Sequence, residues 1–163
     1  MMTNKIKEEN MNYINHNVEE HKKFKELMGR VEESSGNKKV KVFYELYANL
    51  HGHHLAEEEI VFPKLKEKAE GEDLEIVREM IEEHHLGNYQ FSIINRTSEE
   101  NETWDAKFAV LKEVLEHHME EEEDELAKVA KKLLSTEELE ALMDEFEKVY
   151  EKKMEEKKKE LKI

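Results

Sequence analysis

The stretch Val42-Phe43-Tyr44-Glu45-Leu46-Tyr47-Ala48-Asn49-Leu50-His51-Gly52-His53-His54-Leu55-Ala56-Glu57-Glu58-Glu59-Ile60 decides the fold. Val42, Leu46 and Leu50 recur at helical spacing, and His53 and Glu57 then occupy the same phase before Ile60 resumes it. Glu58 is turned about 80° from Leu50 at 3.6 residues per turn, so His53 and Glu57 form the better inward pair, with His54 still close to the core. A helix that is apolar, then imidazole and carboxylate, then apolar again is burying polar groups, and these need partners.

The same change of character recurs along the chain. Phe108, Leu111 and Leu115 lead to His118 and Glu122, after which Leu126, Val129 and Leu133 continue the apolar rhythm, whereas His117 and Glu121 run into Glu125 and Lys128 on a solvent phase. Ile14, Val18, Phe24 and Met28 bracket His21, and His16 lies off that stripe. Val77 and Met80 precede His84 and Phe91 follows it, while equal steps from the alternative, His85, reach Arg78 and Ser92. Gly87, on the His84 face, leaves room for a close neighbour.

Glu, Lys, Leu and Met dominate, with five Gly and one Pro, so the chain is expected to be all-α. Turn signals at Ser34 to Asn37, Gly71 to Asp73, Thr97 to Thr103 and Ser135 divide it into helices over about Lys5–Glu33, Lys39–Ala69, Asp73–Arg96 and Thr103–Leu134, plus a fifth. Connections this short make each helix antiparallel to the one before. The reading is therefore a four-helix bundle over 1–134 and an additional C-terminal amphipathic helix with a charged tail over 135–163. Ser135 and Glu138 can form a capping box for that last helix. Its stripe of Leu139, Met143, Phe146 and Tyr150 is expected to pack on the bundle or on a second copy as a homodimer, and the Lys-rich tail after Tyr150 to be solvated and frayed.

Nine histidines fall into four clusters, one per bundle helix. Reflecting positions through the connections brings His21 within about one turn of His53, and His84 within about one turn of His118, at 1.5 Å per residue. Each His-x-x-x-Glu pair sets an imidazole and a carboxylate one turn apart on one face. Buried together without compensation they would cost several kcal/mol, roughly; two divalent cations neutralise the charge and use the lone pairs. Cysteine is absent, so any metal is held by nitrogen and oxygen. Glutamates can bridge two ions, and six protein ligands leave positions for water, an oxo or hydroxo bridge, and a small diatomic or peroxide. This suits two non-haem iron ions (Fe2+/Fe3+), with manganese and zinc as competitors.

The pattern His21, His53-x-x-x-Glu57, His84, His118-x-x-x-Glu122 resembles the hemerythrin-like HHE cation-binding domain over about Met11 to Leu134, most closely at His53 to Leu65 and His117 to Glu123. The resemblance implies an up-down-up-down four-helix bundle with those six residues as ligands of a di-iron centre. Oxygen-carrying members have a further histidine where Asn88 stands, and an aspartate where Glu123 stands beside Glu122. That difference favours reactivity or sensing over oxygen transport, with Glu123, Tyr47 and Tyr89 as candidates to complete the site.

The expected function is a non-haem di-iron protein that binds or reacts with O2, peroxide or NO in sensing, storage or detoxification. The alternatives are an iron-handling or iron-sensing module acting through a partner contact, and a metal-free helical interaction protein. A formal charge of -15 argues against nucleic acid and anionic membranes as partners. No apolar run is long enough to span a bilayer, and Met1 to Asn10 lacks the apolar core of a signal peptide, so the protein is expected in the cytoplasm. Hydrolase triads and phosphate-binding glycine loops are absent.

Overall fold

Helix-forming sequence broken by short turns folds, in a computed structural model describing residues 11–163, into five helices with no strand among the described residues. Helix α1 is Tyr13–Glu33. Helix α2 runs over Gly36–Ala56, passes through a π-helical turn at Glu57–Val61 and continues as Phe62–Lys66. Helix α3 is Gly71–Asn95; α4 comprises Trp104–Glu121, a second π turn at Glu122–Leu126 and Ala127–Leu133; α5 is Thr136–Leu161. The expected start near Lys5 and the polar segment Met1 to Asn10 lie outside the described residues. No helix among the described residues is long and apolar enough to cross a membrane.

The turn signals act where expected. Gly36 and Gly71 open α2 and α3 with φ of 60° and 55°, a left-handed conformation that glycine adopts without steric penalty. Ser135 and Glu138 form the reciprocal capping box of α5, with backbone-to-side-chain bonds of 3.1 and 3.2 Å. Asn12 caps α1 by accepting from the Asn15 backbone N–H at 3.1 Å.

Side-chain burial separates the core into two apolar clusters. Phe24, Met28, Phe43, Leu46, Leu50, Phe91, Phe108 and Leu115 belong to one, and Tyr13, Val61, Phe62, Leu65, Val77, Met80, Leu126 and Phe146 to the other. Each bundle helix passes from one cluster to the other at its buried histidine: His21, His53, His84 and His118. Those histidines form a polar layer between two dry ones, as the reflected sequence positions predict.

Helix α5 packs along α2, burying Leu139 and Phe146 against its own bundle. Gly52 allows the approach: a Cβ there would lie 2.7 Å from the Tyr150 carbonyl oxygen and 3.1 Å from Met154 Cβ. The tail departs from expectation, since α5 remains helical to Leu161 and Lys157 is buried with its ammonium 4.9 Å from the centre of the Tyr47 ring. A long aliphatic stem can cover apolar surface while its charge sits over an aromatic face, so a Lys-rich segment still packs.

The two π turns also correct the sequence reading. An extra residue in a turn shifts the phase beyond it, so Val61 is buried where Ile60 was expected, and Leu134 is buried while Leu133 is half-exposed, although Leu126 and Val129 are buried as expected. Pro63 gives a cause for the first turn. It has no N–H and its ring crowds the carbonyl of the residue four back, so a widened turn just before it removes both problems.

Candidate metal centre

Six side chains expected at the centre, His21, His53, Glu57, His84, His118 and Glu122, are all buried in the polar layer. They are arranged as two imidazole pairs with carboxylates between them. His21 and His53, from α1 and α2, have ring centres 5.8 Å apart; His84 and His118, from α3 and α4, are 4.6 Å apart. Glu57 Oε1 lies 3.4 Å from both His53 Nε2 and His84 Nε2. Glu122 Oε1 lies 2.6 Å from His118 Nε2 and 3.8 Å from His21 Nε2. Each glutamate thus spans one histidine of either pair, and both π turns begin at these glutamates.

Outer groups hold the rings. The Nδ1 atoms of His84 and His118 face Glu58 at 3.2 Å and Glu83 at 2.8 Å, and His21 Nδ1 is 3.5 Å from Glu123. A carboxylate behind an imidazole fixes its orientation and raises the basicity of the inward nitrogen, the usual support of a metal-binding histidine. His53 instead has Nε2 2.8 Å from Asn17 Oδ1. The Tyr13 hydroxyl donates to Glu57 Oε2 at 2.5 Å and to Glu122 Oε2 at 3.3 Å, and the Asn17 amide donates to Glu122 Oε2 at 3.2 Å.

The inward atoms have no such partners. Glu57 Oε1 and His84 Nε2 are buried without a hydrogen bond, and Glu122 Oε1 and His118 Nε2 have only each other, at 2.6 Å. Buried polar atoms are normally satisfied, and these are lone-pair donors converging from three helices, with His21 of the fourth alongside. His54, Glu57, His84 and His118 each bring a nitrogen or oxygen to within 4.8 Å of the others. The donor set therefore fits cations.

Charge in the layer is strongly redistributed. Burial, followed by neighbouring imidazoles, holds His53 and His54 well below the ordinary histidine value, and burial also lowers His21 and His84. His118 behaves oppositely: burial opposes its charge, but Glu122 and Glu83 raise it to about 9. Burial and the Glu122 charge push Glu57 well up, whereas Glu122 is held well down by His118 against its own burial.

The remaining candidates separate by position. Tyr89 is 61% exposed, and Tyr47 stacks on Phe91 at 4.5 Å in the wall of a cavity that also borders His84. Glu123 stands behind His21. His85 and His117 are exposed, as their helical phase predicts. Sequence reading missed Tyr13, Asn17, Glu58 and Glu83. The first two carried a signal, because Tyr13, Asn17, His21, Phe24 and Met28 are the buried stripe of α1, while Ile14 and Val18, chosen for their apolarity, are only half-buried.

The model of the hemerythrin HHE cation binding domain matches residues 13–130. The chain belongs to this family. The matched span starts at the tyrosine that touches both inward glutamates and ends on α4, so α5 lies beyond it. No curated protein and no solved structure matches the chain. For this HHE domain, the family assignment and the buried His/Glu cluster agree on cation binding.

Proposed function

We propose that this HHE domain is a non-haem di-iron protein that binds or reacts with dioxygen, peroxide or nitric oxide. The observation that carries the reading is the pair of buried carboxylate oxygens, Glu57 Oε1 and Glu122 Oε1, each lying between histidines of two different pairs. His21 and His53 would hold one ion, His84 and His118 the other, and the two glutamates would bridge. A bound iron pair supplies one-electron exchange and open coordination positions for a small ligand, which zinc would not supply in redox form.

The chain's own residues define what can reach such a pair. A cavity of about 190 Å3 opens beside His84, walled by His51, His54, Glu58, His85 and Asn88 on its polar side and by Tyr47, Leu55 and Phe91 on its apolar side. Pockets for organic ligands are typically larger, about 300–1,000 Å3, so the space suits a diatomic molecule or peroxide. Glu58 at the wall and the net charge of -15 disfavour anions.

Metal analysis of protein produced in iron-supplemented medium, with optical and Mössbauer spectra before and after reduction and re-exposure to oxygen, tests the proposal. Two irons per chain with oxo-bridge charge-transfer bands are expected. Reversible recovery of the spectrum supports binding, and turnover of peroxide supports an enzyme. Stoichiometric zinc, or no metal, overturns the di-iron reading.

A further inference from the structure

The pair His118-x-x-x-Glu122 is repeated one residue earlier on α4 as His117-x-x-x-Glu121. One residue is about 100° of helix rotation, so the second pair turns out of the buried layer and meets α3 at Glu83. There His117 Nε2 lies 2.7 Å from Glu121 Oε1 and 3.8 Å from Glu83 Oε2. Glu83, His117 and Glu121 each bring a donor atom to within 4.8 Å of the others. Donors that share one ion at bond lengths of about 2.0–2.2 Å stand roughly 3–4 Å apart, close to this spacing.

The charge of the two carboxylates is not otherwise balanced. Their side chains are only 22% and 23% exposed, and Glu121 Oε2 is buried without a hydrogen bond. Glu32, Glu99 and Glu138 each meet a lysine, but among the described residues Glu83 and Glu121 pair only with His117 and His118. Like charges side by side with no lysine or arginine favour a cation between them. The other oxygen of Glu83 is 2.8 Å from His118 Nδ1, so this carboxylate stands between the rim and the buried layer.

We infer that Glu83, His117 and Glu121 form a separate divalent-cation site at the rim of the bundle, outside the buried His/Glu layer. The site does not depend on which metal that layer holds. An imidazole beside carboxylates selects first-row divalent ions over magnesium and calcium, which favour all-oxygen sets. With three protein ligands and His117 open to solvent, the ion is held loosely and leaves on desalting, so metal content measured after desalting counts the buried layer alone.

The test titrates desalted, iron-loaded protein with Mn2+ and reads the free ion by EPR. Wild type is compared with His117→Ala, Glu121→Gln and Glu120→Gln, the last removing the same charge from an exposed neighbour outside the cluster. Wild type and Glu120→Gln are expected to take up one Mn2+ per chain more than His117→Ala and Glu121→Gln. Pulsed EPR of the additional ion should show coupling to a single imidazole nitrogen, and equimolar Mg2+ should not displace it. Equal uptake by all four proteins, an equal loss in Glu120→Gln, displacement by Mg2+ or bound Mn2+ without nitrogen coupling would mean diffuse attraction to an acidic surface, and each overturns the inference. A chain that fails to load iron takes Mn2+ into its buried layer in every variant alike, so the difference between proteins still reads the rim, and failure of the iron pair is distinguishable from failure of this site. Should the variants fail to fold, the nitrogen count in the wild type decides: one for the rim, several for the buried layer.

Discussion

The Tyr13 hydroxyl donates to Glu57 Oε2 at 2.5 Å, tying the first turn of α1 to the π turn of α2. The same hydroxyl lies 3.3 Å from Glu122 Oε2, so one phenol orients both inward carboxylates. Its own ionisation is pushed well above the ordinary tyrosine value by burial and by the two glutamates, which keeps it a donor. Tyr13→Phe preserves the packing and removes this positioning. Metal affinity is expected to fall about 10- to 100-fold, the usual effect of losing an outer partner of a ligand. Metal-free stability should fall by about 1–3 kcal/mol for the unsatisfied buried acceptor. Chelator competition and urea unfolding measure the two.

His117 and His118 are neighbours in sequence with opposite expected responses. His118 is buried against Glu122 at 2.6 Å, whereas His117 is 65% exposed. His118→Ala leaves the Glu122 carboxylate buried without its counter-charge, a loss of about 3–5 kcal/mol in the metal-free chain, and it abolishes uptake at the position it shares with His84. His117→Ala should stay within about 0.5 kcal/mol of wild type, as surface changes do, with full metal content. Thermal unfolding and metal analysis of the pair check this; equal effects of the two substitutions would contradict the assigned helical phase.

Helical phase was enough to place His21, His53, His84 and His118 in one layer, because burial on an amphipathic helix follows a period that one sequence displays. It failed at Ile60, where the first π turn moves burial to Val61, and at Leu133 beyond the second, while Leu126 and Val129 are buried as expected. Pro63 marked the first irregularity; nothing in Glu122 to Leu126 marks the second. The doublets Glu57-Glu58 and Glu122-Glu123 each turn one carboxylate in and one out. Which outer glutamate meets which histidine depends on helix rotation and spacing, which only the packed structure specifies. Apolarity also misled in α1, where Tyr13 and Asn17 take the inward positions because the carboxylates there need donors.

The metal-free chain should be most stable near pH 6.5. His21, His53, His54 and His84 have folded-state values lowered by burial, so as pH falls through the ordinary histidine value of 6.5 the unfolded chain binds protons that the folded chain refuses. Four imidazoles outweigh Glu57, whose raised value works the other way. Above pH 6.5 the direction reverses: His118 is raised to about 9, and the stability it contributes, complete below 6.5, is lost as pH climbs to that value. Metal loading should flatten the alkaline limb, because the cations replace the His118 proton, and steepen the loss in acid, where protons displace them. Melting temperatures of chelated and loaded protein from pH 5 to 9 compare these profiles.

Two glycines separate a packing requirement from a propensity cost. Gly29 lies within α1, and a Cβ there would meet nothing within 4 Å, so Gly29→Ala gains helix propensity without a clash and should stabilise the chain by about 1 kcal/mol. Gly52→Ala gains the same propensity, but its Cβ would stand 2.7 Å from the Tyr150 carbonyl oxygen, a backbone atom that moves only if α5 moves. Overpacking of this kind costs about 1–3 kcal/mol or more, so the net change is destabilising. Phe146 of α5 lies edge-on to His53 at 5.4 Å between ring centres, so displacing α5 also loosens the cover over the first imidazole pair. Gly52→Ala should therefore weaken metal retention along with stability, while Gly29→Ala leaves retention unchanged. Denaturant unfolding with chelator competition on both variants measures this, and a Gly52→Ala protein as stable as wild type would show that α5 is not held against α2 by this contact.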